Sequence, residues 1–143
     1  MKVNLQSLGR SVKRLQTRHH RMLDARLVEI GSTLAQWDAL RAISENPGAS
    51  SHDLAEFTFQ TDQSFGALAE RLAAKGLVTR TPGKGRALRH GLTAQGKRLL
   101  AEASKAADRV LAESFAPLTE AERVQFLSLI ARLLRAGLQE RSL

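Results

Sequence analysis

The sequence has no cysteine and no tyrosine, and it has only one tryptophan and three prolines in 143 residues. The absence of cysteine excludes disulfides, thiolate zinc sites, iron–sulfur clusters and thiol nucleophiles. No apolar run approaches the roughly 20 residues that span a bilayer, and the N-terminus lacks a compact apolar stretch that ends in a cleavage site. We therefore expect a cytoplasmic protein that neither enters a membrane nor is exported.

The remaining composition is that of one ordinary globular domain. Hydrophobic residues make up 43% of the chain and charged residues 25%, a balance that disordered and fibrous chains do not have. No repeat, low-complexity tract or linker divides the sequence. We expect a single domain over residues 1–143 that needs neither a metal nor a disulfide for stability.

The net charge of +8 is unevenly distributed along the chain. Residues 31–74 carry two basic and six acidic side chains, whereas residues 75–105 carry eight basic side chains and one acid. No acid occurs between Glu70 and Glu102. Such a stretch favours a polyanionic partner, and nucleic acid is the commonest polyanion in a cytoplasm. The plainer interpretation is a basic surface that only aids solubility.

Local signals predict six helices and one hairpin. Capping residues and glycine or proline stops define helices at 5–28, from Thr33 to Pro47, at 52–59 behind Ser50 or Ser51, at 62–76 behind Thr61, at 93–115 and at 119–140. Strand-like composition at 77–81 and 87–92, around a Pro-Gly-Lys-Gly tip, predicts a β-hairpin.

The order of these elements predicts a mainly α fold with a small hairpin, namely a winged helix-turn-helix. Residues 33–92 would form its DNA-binding region. The helices within 1–30 and 93–143 carry apolar stripes that are too wide for solitary surface helices. A helical bundle between two molecules would bury these stripes, so both segments are interpreted as a dimerisation region.

Several segments resemble the MarR family of bacterial winged-helix transcriptional regulators. Residues 34–43 followed by Pro47-Gly48 are similar to the family's helix before the helix-turn-helix. Residues 53–55, 72–78 and 92–96 (Asp-Leu-Ala, Leu-Ala-Ala-Lys-Gly-Leu-Val and Leu-Thr-Ala-Gln-Gly) follow in the family's order at near-family spacing. The resemblance implies a homodimeric regulator, most often a repressor, on a pseudo-palindromic operator.

The chain departs from the family pattern at two places. Family wings usually carry an Asp-Arg-Arg-type turn, where this chain has Lys84-Gly85-Arg86, so the acid that braces the wing arginine is missing. The family's recognition helix often has an arginine in its second turn, where this chain has Gly66-Ala67. Base specificity therefore cannot be transferred from relatives.

The N-terminal residues of the second helix of a helix-turn-helix meet base edges in the major groove. Here those residues are Thr61, Gln63, Ser64 and Ala67. The Gln63 amide has the donor and the acceptor that pair with adenine N6 and N7. The alternative is a polar helix start, capped by Thr61, that contacts no base. Asp62 would repel phosphate and is interpreted as stabilising the helix dipole.

The predicted wing supplies a second contact with DNA. Arg86 could enter a narrow A·T-rich minor groove, and Lys84 beside it would contact phosphate. The candidates for further phosphate contacts are Ser51, His52, Arg71, Lys75, Arg80 and Arg89. Each of these could equally be a solvated side chain, and about half are expected to touch DNA.

The resemblance also implies a small-molecule pocket between the dimerisation helices and the winged domain, often for aromatic anions. Trp37 with His19, His20, Leu23 and Arg41 could line it. The alternative places Trp37 in the core and Arg41 at the surface.

The sequence offers no metal site, cofactor motif or catalytic constellation. Adjacent helical residues such as His19 and His20 point about 100° apart and cannot jointly hold one ion. No Walker loop, nucleophile elbow or dinucleotide fingerprint is present. An enzyme is not expected. The alternatives to a sequence-specific regulator are a non-specific architectural DNA-binding protein and a helical protein–protein adaptor.

Overall fold

The structure is a computed structural model that describes residues 1–83, 85 and 88–141, with side chains up to residue 136. In this part of the chain, six helices and two strands follow one another in the predicted order. They are α1 (Leu5–Val28), α2 (Leu34–Glu45), α3 (Ser51–Phe57), α4 (Asp62–Ala74), β1 (Val78–Pro82), β2 (Leu88–Leu92), α5 (Ala94–Phe115) and α6 (Glu120–Arg141). The predicted fold class, mainly α with a small hairpin, is confirmed.

Short polar side chains fix the starts of the first four helices. Asn4, Thr33, Ser50 and Thr61 each accept a hydrogen bond from the backbone N–H three residues ahead, which satisfies one of the unpaired donors of a helix N-terminus. The predicted caps at Thr33 and Thr61 are confirmed. Of the two serines before α3, Ser50 is the cap and Ser51 is the first helical residue.

Helix α3 ends at Phe57, two residues earlier than the sequence pattern predicts. The Thr58 hydroxyl donates to the Leu54 carbonyl oxygen at 2.8 Å, and Phe59 takes a positive φ of 56°. A left-handed residue stops the helix and turns the chain towards α4. The predicted helix end at residue 59 is therefore wrong, and Phe59 lies beyond the helix with 96% of its surface exposed.

The core lies between α2, α3, α4 and the start of the hairpin. Phe65, Leu68 and Leu72 of α4 are buried there against α2 residues such as Leu40 and Ile43. The strands pair antiparallel with Arg80 opposite His90. The two short helices and the hairpin thus share one apolar core, and this packing fixes the orientation of α4 relative to the wing.

The start of α5 is tied to the start of the wing. The Thr93 N–H donates to the Leu77 carbonyl oxygen at 3.1 Å, and the Thr93 hydroxyl donates to the Gly76 carbonyl oxygen at 2.6 Å. Gly96, one turn into the helix, lies so near that a Cβ atom there would stand 2.0 Å from the Leu77 carbonyl oxygen. Only glycine permits this approach of helix and strand.

The chain divides into two compact units, Met1–Val110 and the segment from Leu111 onward. In the second unit, Thr119 and Glu122 form a reciprocal capping box, in which each side chain accepts from the other's backbone N–H. Hydrogen bonding of the Glu122 carboxylate to Thr119, first to its backbone N–H and then to its hydroxyl, lowers the pKa of Glu122. The Phe115 and Phe126 rings lie 6.3 Å apart. Much of the apolar surface of α6 is exposed, notably at Val124, Leu127, Leu133 and Leu134.

Candidate nucleic-acid interface

The N-terminal end of α4 presents a polar face to solvent. Thr61, Gln63, Ser64 and Ala67 are all exposed, while Phe65 on the opposite face is completely buried. The Thr61 hydroxyl accepts from the Ser64 N–H at 3.1 Å, so its oxygen already caps the helix. Gln63 remains the side chain on this face with both an amide donor and an acceptor to offer to a base edge.

The backbone of α4 is accessible within the same face. A Cβ atom built on Gly66 would meet no heavy atom within 4 Å. The glycine is therefore not required by packing inside this chain. Together with the small side chain of Ala67, it leaves space for another molecule to approach the helix backbone closely.

His52, a candidate phosphate contact, is held by two carboxylates. Its Nδ1 lies 2.9 Å from Asp62 Oδ1, and its Nε2 lies 3.3 Å from Glu56 Oε1. The hydrogen bond to Asp62 and the negative charges of Asp62, Glu56 and Asp53 raise the pKa of the His52 ring. The sequence analysis does not predict this pairing. The pattern that could have indicated it is a histidine and an aspartate in the first turns of two consecutive helices.

The basic candidates on the hairpin differ in surroundings. Arg89 is half-buried and donates from its guanidinium to the Gly48 carbonyl oxygen, which links the hairpin to the turn after α2. Arg80 is also half-buried, and its Nε is without a hydrogen-bond partner in the described part of the chain. Lys84 and Arg86, the predicted wing-tip contacts, lie outside the described residues.

His90, in strand β2 of the hairpin, packs against α4. It is only 6% exposed, its ring meets Phe65 edge to face with centroids 5.8 Å apart, and neither ring nitrogen has a hydrogen-bond partner among the residues described. Burial, and then the nearby charge of Arg80, lower the pKa of His90. The neutral ring therefore acts as a packing group between α4 and β2.

The remaining phosphate candidates surround α4. Arg71 and Lys75 are exposed in its C-terminal half, and Ser51 is half-buried at the start of α3. With His52 they place cationic or hydroxyl groups near both ends of the polar α4 face. Such an arrangement is typical of surfaces that follow a phosphate backbone.

The structure places the predicted effector residues on two helices, with His19, His20 and Leu23 on α1 and Trp37 and Arg41 on α2. Trp37 is half-buried and donates from Nε1 to the Ser104 hydroxyl oxygen at 3.1 Å, while the Arg41 guanidinium lies 5.4 Å from the Trp37 ring centroid and pairs with Asp38. Leu23 is buried, His19 half-buried and His20 exposed.

A groove of about 550 Å³ occurs elsewhere in the first unit. Its lining includes Lys75, Leu77, Arg98 and Leu99 and none of the five predicted effector residues.

Metal chemistry and membrane insertion gain no support from the described residues. No group of three or more His, Asp or Glu side chains among them is placed to hold a metal ion. None of the helices, as far as the structure describes them, is long and apolar enough to cross a membrane.

The sequence matches known regulators over its central part. The family model described as MarR family matches residues 30–87. The HTH-type transcriptional repressor Rv2887 of Mycobacterium tuberculosis is 38% identical over 101 residues, which cover 66% of this chain and 73% of that protein.

Solved structures extend the similarity to most of the chain. The MarR family protein Rv2887 in complex with p-aminosalicylic acid has a TM-score of 0.74 and 29% identity, with 88% of this chain and 97% of that chain covered. A mutant MarR from E. coli in complex with operator DNA is similar in fold, with a TM-score of 0.82 at 21% identity over 90% of this chain and 94% of that one.

Proposed function

The chain belongs to the MarR family of transcriptional repressors, which are DNA-binding regulators and not enzymes. From this we propose that the protein acts as a cytoplasmic homodimer on a pseudo-palindromic operator. The observation that carries the proposal is the exposed polar face of α4, with Gln63 beside an open glycine. A recognition helix of this kind enters the major groove with its N-terminal residues foremost. Residues 33–92 form the DNA-binding region of the proposal.

The dimer is proposed from the apolar side chains that a single chain leaves in solvent. Leu5, Leu8 and Val12 of α1 are at least half exposed, as are Leu127 and Leu134 of α6. Large exposed apolar patches mark interaction surfaces in soluble proteins. A second copy would cover them, so segments 1–30 and 93–143 are assigned to dimerisation. Two recognition helices would then meet half-sites about one DNA turn, ~10 bp, apart or a multiple of it.

Release from DNA by a small aromatic or phenolic effector completes the proposal. Rv2887, the similar repressor, forms complexes with salicylic acid and p-aminosalicylic acid. Trp37 and Arg41, with His19, His20 and Leu23, supply the aromatic, apolar and cationic groups that suit such an anion. An effector lowers operator affinity only if it binds more tightly to the dimer conformation that does not fit the operator. The size of the loss is limited by the difference between its affinities for the two conformations.

Fluorescence anisotropy with the DNA upstream of the protein's own gene tests operator binding. The upstream duplex and a scrambled duplex are titrated at several salt concentrations. A preference of ~10³-fold or more for the upstream DNA, with affinity that falls as salt rises, is expected of a sequence-specific regulator.

Two other outcomes point to other interpretations. Equal affinity for both duplexes would favour an architectural DNA-binding protein or an operator distant from the gene. No binding even at low salt would favour a protein–protein adaptor. Sedimentation equilibrium of the wild type and of Leu127→Glu tests the dimer, because a charge on an apolar contact surface should shift the equilibrium towards the monomer.

A further inference from the structure

The first turns of α3 and α4 are joined through one imidazole ring. His52 is the second residue of α3 and Asp62 is the first residue of α4. The His52 Nδ1 lies 2.9 Å from one carboxylate oxygen of Asp62 and 3.2 Å from the other. On its other side, Nε2 lies 3.3 Å from the Glu56 carboxylate. We call this three-residue arrangement of His52, Glu56 and Asp62 the histidine clasp.

Only a protonated ring fits both contacts. A neutral imidazole has one N–H donor, whereas the imidazolium has two and can donate to Asp62 and to Glu56 together. When the ring loses its proton, one of the two carboxylates loses its donor. The net negative charge of the clasp also increases by one unit. This charge lies at the N-terminal end of α4, which enters the major groove in the proposed function.

The position of Asp62 makes this charge matter for DNA binding. Asp62 directly precedes Gln63, the main candidate for base contact, and its side chain is 68% exposed. An uncompensated carboxylate there would repel the phosphates of a bound duplex. An aspartate held by an imidazolium is partly neutralised and is also fixed in position against α3.

We propose that His52 is a proton-dependent positioning residue for operator binding, in which the protonated ring holds Asp62 against α3 so that binding of the operator takes up a proton. This inference depends on the proposed DNA-binding function and adds a regulation to it. The groups that it requires are the three members of the clasp together with Asp53, the further acid on α3 that acts on the ring.

The direction of the pH dependence follows from the charges. Asp62 first, and then Glu56 and Asp53, hold the pKa of His52 above its ordinary value of 6.5, and the negative potential of DNA raises that pKa further. Operator affinity is therefore highest where the ring is protonated and falls as the pH rises through the raised pKa. Each unit by which DNA raises the ring's pKa corresponds to about a tenfold loss of affinity across the transition.

Operator titrations from pH 6 to pH 8.5 at constant ionic strength test the proposal. For the wild type we expect the affinity to fall by roughly three- to tenfold more than for His52→Gln, which has no proton to take up. Asp62→Asn removes the charge that the ring compensates. The operator affinity of this variant should therefore fall less steeply with pH than that of the wild type, and should exceed it at pH 8.5. Glu70→Gln is the matched control, because it removes one exposed acid from the same helix and should retain the wild-type slope.

A measurement without DNA separates the clasp from the proposed function. The pKa of the His52 ring is measured by NMR in the free protein, and it should be lower in Asp62→Asn than in the wild type. Circular dichroism at both ends of the pH range confirms that each variant is folded.

Each contrary outcome has its own meaning. An unchanged ring pKa in Asp62→Asn would overturn the clasp, and parallel pH profiles of the wild type and His52→Gln would overturn its role in operator binding. Absence of binding at every pH would overturn the proposed function and this inference together.

Discussion

Replacing Gly96 by alanine should destabilise the protein, which is the reverse of the usual effect of that substitution in a helix. Within a helix, alanine is ordinarily more favourable than glycine by about 0.5–1 kcal/mol. Here the new Cβ would lie 2.0 Å from the Leu77 carbonyl oxygen and 3.0 Å from its carbon, where ordinary contacts are 3.4–4 Å. The methyl group therefore requires a displacement of the backbone.

The carbonyl group of Leu77 has little freedom to move. Its oxygen accepts the hydrogen bond from the Thr93 N–H, and Leu77 itself is 5% exposed. Overpacking of a well-packed site costs about 1–3 kcal/mol and occasionally more. After the gain in helix propensity is subtracted, we expect a net loss of about 1–2 kcal/mol, which lowers Tm by roughly 3–8 °C in a chain of this size.

Thermal unfolding followed by circular dichroism measures this effect at one fixed protein concentration, because the proposed dimer makes Tm depend on concentration. Gly66→Ala is the control. It lies in a helix of the same unit and its new methyl group meets nothing within 4 Å, so its stability should rise by about 0.5–1 kcal/mol. A Gly96→Ala protein as stable as Gly66→Ala would refute the close approach of α5 to the hairpin.

Three further substitutions test other parts of the structure. Gln63→Ala should cost ~1–3 kcal/mol of binding at one operator position and little at others; a uniform loss over all sequences, measured by anisotropy with a panel of duplexes, would contradict base readout. Phe59→Gly should raise the free energy of unfolding in urea by about 0.5–1 kcal/mol, because glycine relieves the strain of the positive φ, and a lower urea midpoint would show that the ring stabilises the turn. His90→Leu should reduce the loss of stability on acidification. Because the pKa of His90 is lowered in the folded state, the unfolded wild-type chain binds the proton first, and the stability of the wild type falls as the pH drops below about 6.5. Identical losses for variant and wild type in urea titrations at pH 7 and pH 5 would argue against a buried neutral ring.

The element boundaries could be predicted because their causes are local. Thr33 and Thr61 cap the helices that begin directly after them, each by accepting from the backbone N–H three residues ahead. Gly76, with a φ of 73°, ends the turn after α4. These effects depend on neighbouring residues alone. The end of α3 differs from its predicted position because the Thr58 hydroxyl and the left-handed Phe59 stop the helix, and no glycine or proline marks that end in the sequence.

The interactions within the candidate site were less accessible to prediction because they join residues distant in sequence. His52 meets Asp62 ten residues on, and Arg89 reaches Gly48 across 41 residues. The sequence identifies His52 and Arg89 as candidate phosphate contacts because of the charge that their side chains can carry. It does not identify their partners inside the chain, since those depend on how the hairpin and the helices pack.

The hydrogen bond from Trp37 to Ser104 gives the protein a built-in optical reporter. Trp37 is the only tryptophan and the sequence has no tyrosine, so the intrinsic emission of the unlabelled chain arises almost entirely from this indole. Its Nε1 joins α2, at the base of the winged region, to α5. Any event that alters the polarity or hydration of this junction will shift the emission, and every copy of the chain will report from the same place.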